Sequence, residues 1–166
     1  MGELPDRVRR AFRDHDAFER VDETAFESTN TPFEGLVEVE PAASGRVEFR
    51  VTVRVPMLGE VTKERVADVV EEGWYETFAL RVEDVAGVTR KEHDFDPTVS
   101  ENGRRVEVEF AFEDIDERRG VDDAAALVDY VEGTFVQGII PGYDYGEPVA
   151  TILSRAQQSG GSDPVP

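Results

Sequence analysis

Two histidines, thirty-seven acidic residues and no cysteine bound the chemistry open to this 166-residue chain. His15 stands between Asp14 and Asp16, and His93 precedes Asp94, Asp96 and Glu101. An imidazole among carboxylates is the raw material of a general base or a metal site. Spacing argues against both. Helix residues one and two apart do not face each other, so Asp14, His15 and Asp16 cannot converge on one ion. The stretch KEHDFDPTVSEN carries oxygen ligands, but a calcium loop needs a glycine at its sixth position, and Pro97 breaks the path. It reads as a solvated connection. In a strand, His93 would need a carboxylate across the sheet, and no spacing supplies one. With no cysteine and no His-x-x-x-His pair, a protein-built zinc site, a thiolate nucleophile and an iron–sulfur cluster have no ligands. A Gly-x-Ser-x-Gly elbow, a P-loop and a Gly-x-Gly-x-x-Gly turn are all missing from the sequence. The sequence therefore predicts no catalytic residue, no metal and no cofactor.

What remains is aromatic. Gly138 to Gly146, GIIPGYDYG, combines three glycines, a proline and two tyrosines. Glycine and proline specify a backbone path, and tyrosine offers an apolar ring with a polar tip. The plain account is a packed turn between helices, with the hydroxyls wet. The functional account is a binding loop. Trp74 and Tyr75 form a second aromatic pair, with Trp74 on the apolar stripe of Val66, Val69 and Val70. Candidate binding residues are Trp74, Tyr75, Ile140, Tyr143, Asp144 and Tyr145. An aromatic-lined groove follows if Tyr75 adjoins Tyr143 and Tyr145.

The elements that must position these residues can be read from periodicity. Leu4, Val8, Ala11 and Phe12 predict a helix over 5–18. Two short strands, TAFEST and PFEGLVEVE, flank a turn at Asn30–Pro32. In the next strand Val47, Phe49, Val51, Val53 and Val55 alternate with Glu48, Arg50, Thr52 and Arg54, the signature of a sheet with one wet face. After a Leu58–Gly59 turn, apolar residues from Val66 to Val85 predict a helix broken at Gly73. A strand over 88–93 and a turn-rich link lead to a strand carrying Val106, Val108, Phe110 and Phe112. A helix from Val121 to Phe135, with Asp122 and Asp123 in its first turn suiting the dipole, and a short helix over 147–156 complete the pattern. The expectation is one α+β domain over 1–156, a single antiparallel sheet of about five strands with helices packed on one face, in the order α-β-β-β-α-β-β-α. Residues 157–166, QQSGGSDPVP, have almost nothing to bury and read as a disordered tail.

Charge bounds the partners. The formal net charge is −19, and of 18 basic residues only Lys63 and Lys91 are lysine. Self-repulsion of that size destabilises a compact chain in dilute buffer. Molar salt shortens the screening length to about 3 Å and removes most of it. The composition predicts a halophilic protein whose acids serve solubility. A nucleic-acid partner needs a basic surface. The nearest candidate, Arg7, Arg9, Arg10 and Arg13, is accounted for by local pairing of Arg10 with Asp6 and Asp14 at helical spacing. An anionic membrane is disfavoured likewise, no apolar stretch reaches the about 18 residues of a spanning helix, and MGELPDRVRR has no apolar signal core. These readings predict a cytoplasmic protein.

The element order resembles the fold of bacterial type III secretion chaperones and the YbjN-like proteins, a likeness of order without a shared motif. If it holds, it implies a homodimer. The stretches RVRRAFRDHDAF, EEGWYETF and VQGIIPGYDYGEPV look like an uncharacterised haloarchaeal family, a domain of unknown function. The functional expectation is a non-catalytic protein-binding or chaperone-like module, with a protein partner or a second copy. The alternative is a small-molecule enzyme using Asp144 in a pocket at the Gly138–Gly146 loop.

Overall fold

The computed structural model describes residues 4–161 except Ala86. Helix α1 (Asp6–Arg13) precedes strands β1 (Phe18–Asp22), β2 (Ala25–Ser28), β3 (Glu34–Pro41) and β4 (Val47–Pro56). Helices α2 (Leu58–Val61) and α3 (Asp68–Glu83) follow, then β5 (Thr98–Asn102), β6 (Arg105–Asp114), α4 (Glu117–Gln137) and α5 (Val149–Gly161). The strands form one antiparallel sheet in the order β1-β2-β3-β4-β6-β5, so the fold is α+β as expected, with six strands.

Period-two alternation explains the centre of that sheet. Phe49 faces Phe112, Val51 faces Phe110 and Val53 faces Val108 across the β4–β6 pair, and all six side chains are buried. The opposite face is wet. There the Arg54 Nε donates to Glu107 at 2.9 Å, and Arg54 also pairs with Glu34 at 3.5 Å. Helix α4 lies against the buried face, and Gly120 lets it come close. An added Cβ at Gly120 would stand 2.3 Å from the Phe49 ring.

Several sequence expectations are corrected. The first helix ends at Arg13, and Phe18 opens an edge strand instead of closing a helix. Strand β1 escapes periodicity because only Phe18 is buried: Arg20 shares its face but is exposed, and Val21, at a register shift, is 52% exposed. Helix α3 runs unbroken through Gly73, since its buried Trp74, Phe78 and Val82 hold it against the core. The Leu58–Gly59 turn is a short helix. No strand forms at 88–93, which is irregular; the edge strand is Thr98–Asn102, whose TVSEN sequence has one apolar residue. Helix α4 starts four residues before Val121, with the Asp116 carboxylate accepting from the Arg118 and Arg119 amides, so Asp122 and Asp123 lie beyond its first turn. Helix α5 continues through Gly161, past the expected end at 156, and residues 162–166 of the expected tail lie outside the described residues.

Candidate functional site

The structure brings together a group that spacing did not reveal. His93, Asp114 and Asp123 offer ligand atoms within 4.8 Å of one another. Asp114 and Asp123 are fully buried, and the His93 side chain is 7% exposed. The parity of β6 carries a signal for the first: Val106, Val108, Phe110 and Phe112 set the inward face, and Asp114 is the next inward position. Asp123 lies one turn before the buried Leu127 in α4. Their meeting with His93 depends on the irregular segment after α3, which no period describes.

Chemically the carboxylates are already satisfied. Arg119 grips Asp114 with two hydrogen bonds, Nε at 2.8 Å and a terminal nitrogen at 2.7 Å, and the Asp116 amide adds a third at 2.9 Å. Burial alone would raise the Asp114 carboxyl, but the Arg119 fork and the Asp116 amide outweigh it and hold the group below its usual range. Asp123 accepts from the Arg90 amide at 2.8 Å and the Lys91 amide at 3.3 Å. His93 packs on Phe112 at 4.7 Å and Phe95 at 5.2 Å, and its Nε2 lies 3.5 Å from Asp123 without a hydrogen bond. Burial, then the nearby Lys91 ammonium, lowers the His93 pKa against the pull of Asp123 and Asp114. A cation placed here would have to displace the Arg119 guanidinium. The arrangement suits an anchor tying the 90–95 segment to α4 and β6, not a metal centre.

The other histidine cluster disperses. Asp14 pairs with Arg118 at 2.9 Å, His15 reaches Asp122 at 3.2 Å, and the His15 Nδ1 accepts from the Ala17 amide. Asp94 accepts from the Asp96 amide, while Glu101 belongs to β5, so the calcium-like spacing has no common centre.

The candidate aromatic residues divide. Trp74 and Ile140 share an open groove of about 420 Å³ between α3 and the end of α4, with Val69, Val70, Thr77 and Arg81 on its walls. Trp74 is 5% exposed, stacks on Phe78 at 5.6 Å and meets Phe135 edge-on at 5.7 Å. Its Nε1 is buried without a hydrogen-bond acceptor. Tyr75, Tyr143, Asp144 and Tyr145 do not line the groove. The Tyr75 hydroxyl faces β5 and donates to the Val99 carbonyl at 3.5 Å. The Tyr145 hydroxyl closes its own loop, donating to the Ile140 carbonyl at 2.6 Å and accepting from the Ile140 amide at 3.1 Å. The Asp144 carbonyl accepts from the Lys63 amide, and the Gly146 amide donates to Val61, so the loop is stitched to the segment after α2. Gly142 sits at φ +104°, a conformation that favours glycine. The loop is thus a packed turn that contributes Ile140 to the groove.

A model of a family of unknown function, DUF5813, matches residues 13–155. The chain belongs to that family. The match takes in the groove, the loop and the buried histidine–aspartate anchor, and it starts at the last residue of α1. No curated protein and no solved structure matches the chain. Among the described residues, no helix is long and apolar enough to cross a membrane.

Proposed function

We propose that this protein is a non-catalytic binding module that takes an extended peptide segment of a partner protein into the α3–α4 groove. One observation carries the reading: the buried Trp74 Nε1 borders the groove and lacks an acceptor. A buried donor left unpaired costs about 1–3 kcal/mol, so a carbonyl that reaches Nε1 once Trp74 shifts from its Gly138 neighbour recovers energy that the free protein forgoes. The occupant's chemistry follows from the walls. Val69 is 76% exposed and Leu80, farther along α3, is 68% exposed, which favours an apolar side chain. Arg81 has no ion pair among the described residues, which favours a neighbouring carboxylate on the occupant. The groove lining carries no carboxylate and no histidine, so the enzyme alternative lacks an acid or base where it would need one. The net charge of −19 and the scarcity of lysine support a working medium of concentrated salt and a cytoplasmic setting. A chaperone-like role would be a broader use of the same groove.

Trp74 is the only tryptophan, so its fluorescence reports on the groove directly. The test is an array of acetylated hexapeptides pairing a central Leu, Ile or Phe with Asp or Glu, titrated in molar KCl. Binding that shifts the emission and is lost in Val69→Glu, with unchanged thermal stability, supports the proposal. No peptide response refutes it. So does sedimentation showing a dimer that Val69→Glu dissociates, since a second copy would then fill the groove.

A further inference from the structure

A second groove, of about 790 Å³, lies between α1 and strands β1 and β2, far in sequence from the Trp74 groove and independent of its reading. Its charge is opposite to that of the molecule. Arg9, Arg10, Arg13 and Arg20 line it with Asp6 as the only acid, a local excess of three positive charges (four minus one) on a chain of net −19. The pairing expected from sequence does not neutralise this group. Asp6 bonds Arg9 at 3.3 Å, and Asp14 bonds Arg118 while only attracting Arg10 and Arg13 without contact. Arg10 and Arg13 have no ion pair or hydrogen bond from their guanidinium groups among the described residues. Arg20 uses only its Nε, on the Asp22 carbonyl at 3.0 Å.

The position of Arg20 on β1 is a second pointer. Arg20 stands opposite Phe26 on the sheet face that packs the core elsewhere, and the apolar Val21 is turned to solvent. Arg20 is itself exposed, and the register shifts between Arg20 and Asp22, so the strand presents the Arg20 guanidinium at the rim of the groove. Beneath the cations lies an apolar floor, where Phe12 stacks on Phe26 at 3.8 Å and meets Phe18 edge-on at 5.3 Å. Low-polarity walls strengthen the field of the guanidinium groups above them.

We propose that this groove is a binding site for a small organic phosphate carrying at least two phosphate charges. Guanidinium forks match phosphate oxygens two at a time, which suits a cluster of arginines without lysine. The volume falls within the roughly 300–1,000 Å³ of small-molecule sites. Size also selects against a nucleic acid. Helix α1 has eight residues, a span of about 12 Å, and the exposed Glu23 stands in the turn between β1 and β2, with Glu19 and Glu27 on the opposite face of those strands. A long polyanion would extend past the four cations onto a molecule of net charge −19, whereas a compact one ends inside the groove.

The test titrates the full chain with pyrophosphate, adenosine triphosphate and citrate at ionic strength matched with KCl, reading the unfolding midpoint and phosphorus NMR line widths. The expected result is saturable stabilisation by both phosphates, broadened phosphate lines and weaker citrate binding. Arg10→Gln/Arg13→Gln should weaken binding at least about tenfold, the loss of one to two charge-assisted hydrogen bonds, while Arg65→Gln changes nothing. Arg10 and Arg13 are exposed, so the double variant keeps the core, and Arg20→Gln provides a second check. A triphosphate that binds no better than pyrophosphate assigns the recognition to the phosphates alone. Lack of saturation, equal binding by the double variant, or tighter binding of a single-stranded oligonucleotide at the same salt overturns the proposal.

Discussion

Replacing Asp123 by alanine should release the segment after α3 and cost the protein about 3 kcal/mol. The figure is built from two bonds. The fully buried carboxylate accepts from the Arg90 amide at 2.8 Å and the Lys91 amide at 3.3 Å. A hydrogen bond to a charged group contributes about 1.5–3 kcal/mol, and the longer bond takes the lower end, for a sum of about 4. Water reaching the partly exposed amides after the change returns about 1 kcal/mol of that. Asp123→Asn keeps one acceptor oxygen and should lose about half as much. Urea unfolding in molar KCl measures the loss, and for a chain of this length 3 kcal/mol corresponds to a fall of about 6–12 °C in the midpoint. Hydrogen exchange adds a local readout: amides 90–95 should lose protection while those of β4 and β6 keep it. A loss under about 1 kcal/mol with unchanged exchange would refute the claim that Asp123 pins this segment.

Four further outcomes follow from the same geometry. Arg119→Met strands the buried Asp114 carboxylate and should cost about 3–5 kcal/mol, partly restored by adding Asp114→Asn in a double-mutant cycle. Burial lowers the His93 pKa, so the unfolded chain binds the proton first as pH falls through its usual value of about 6.5. Stability should therefore drop from about pH 6.5 towards 5, and His93→Gln should flatten the midpoint-against-pH curve in that window; parallel curves would contradict the assignment. The two mid-helix glycines should respond with opposite sign: Gly73→Ala, with nothing within 4 Å of the new Cβ, gains about 1 kcal/mol of helix propensity, while Gly120→Ala loses about 1 on balance because Phe49 must move. Raising KCl from millimolar to molar should raise the unfolding midpoint, and full stability in salt-free buffer would count against an adaptation to brine.

Much of the sheet was legible in the residues because burial on one face imposes a period of two. β4 and β6 each alternate over ten residues, and their partnership fills the core with Val and Phe. The α4 stripe was legible for the same reason at helical spacing. Edge elements were not. β1 buries only Phe18 and β5 buries almost nothing, so neither carries the hydrophobic alternation that marks a strand. Gly73 reads locally as a break, yet α3 stays whole because Trp74, Phe78 and Val82 after it pack into the core and Val70 before it is partly buried there.

The candidate sites divide along the same line. Composition alone settled the net charge and the lack of any cysteine chemistry, because both are sums that folding does not change. The parity of β6 already aimed Asp114 inward. Convergence belonged to the tertiary structure: Trp74 meets Ile140, His93 meets Asp114 and Asp123, and Arg20 joins the α1 arginines only when separate elements pack. Side-chain periodicity records which face of an element is dry, and it holds no information about which other face will be pressed against it.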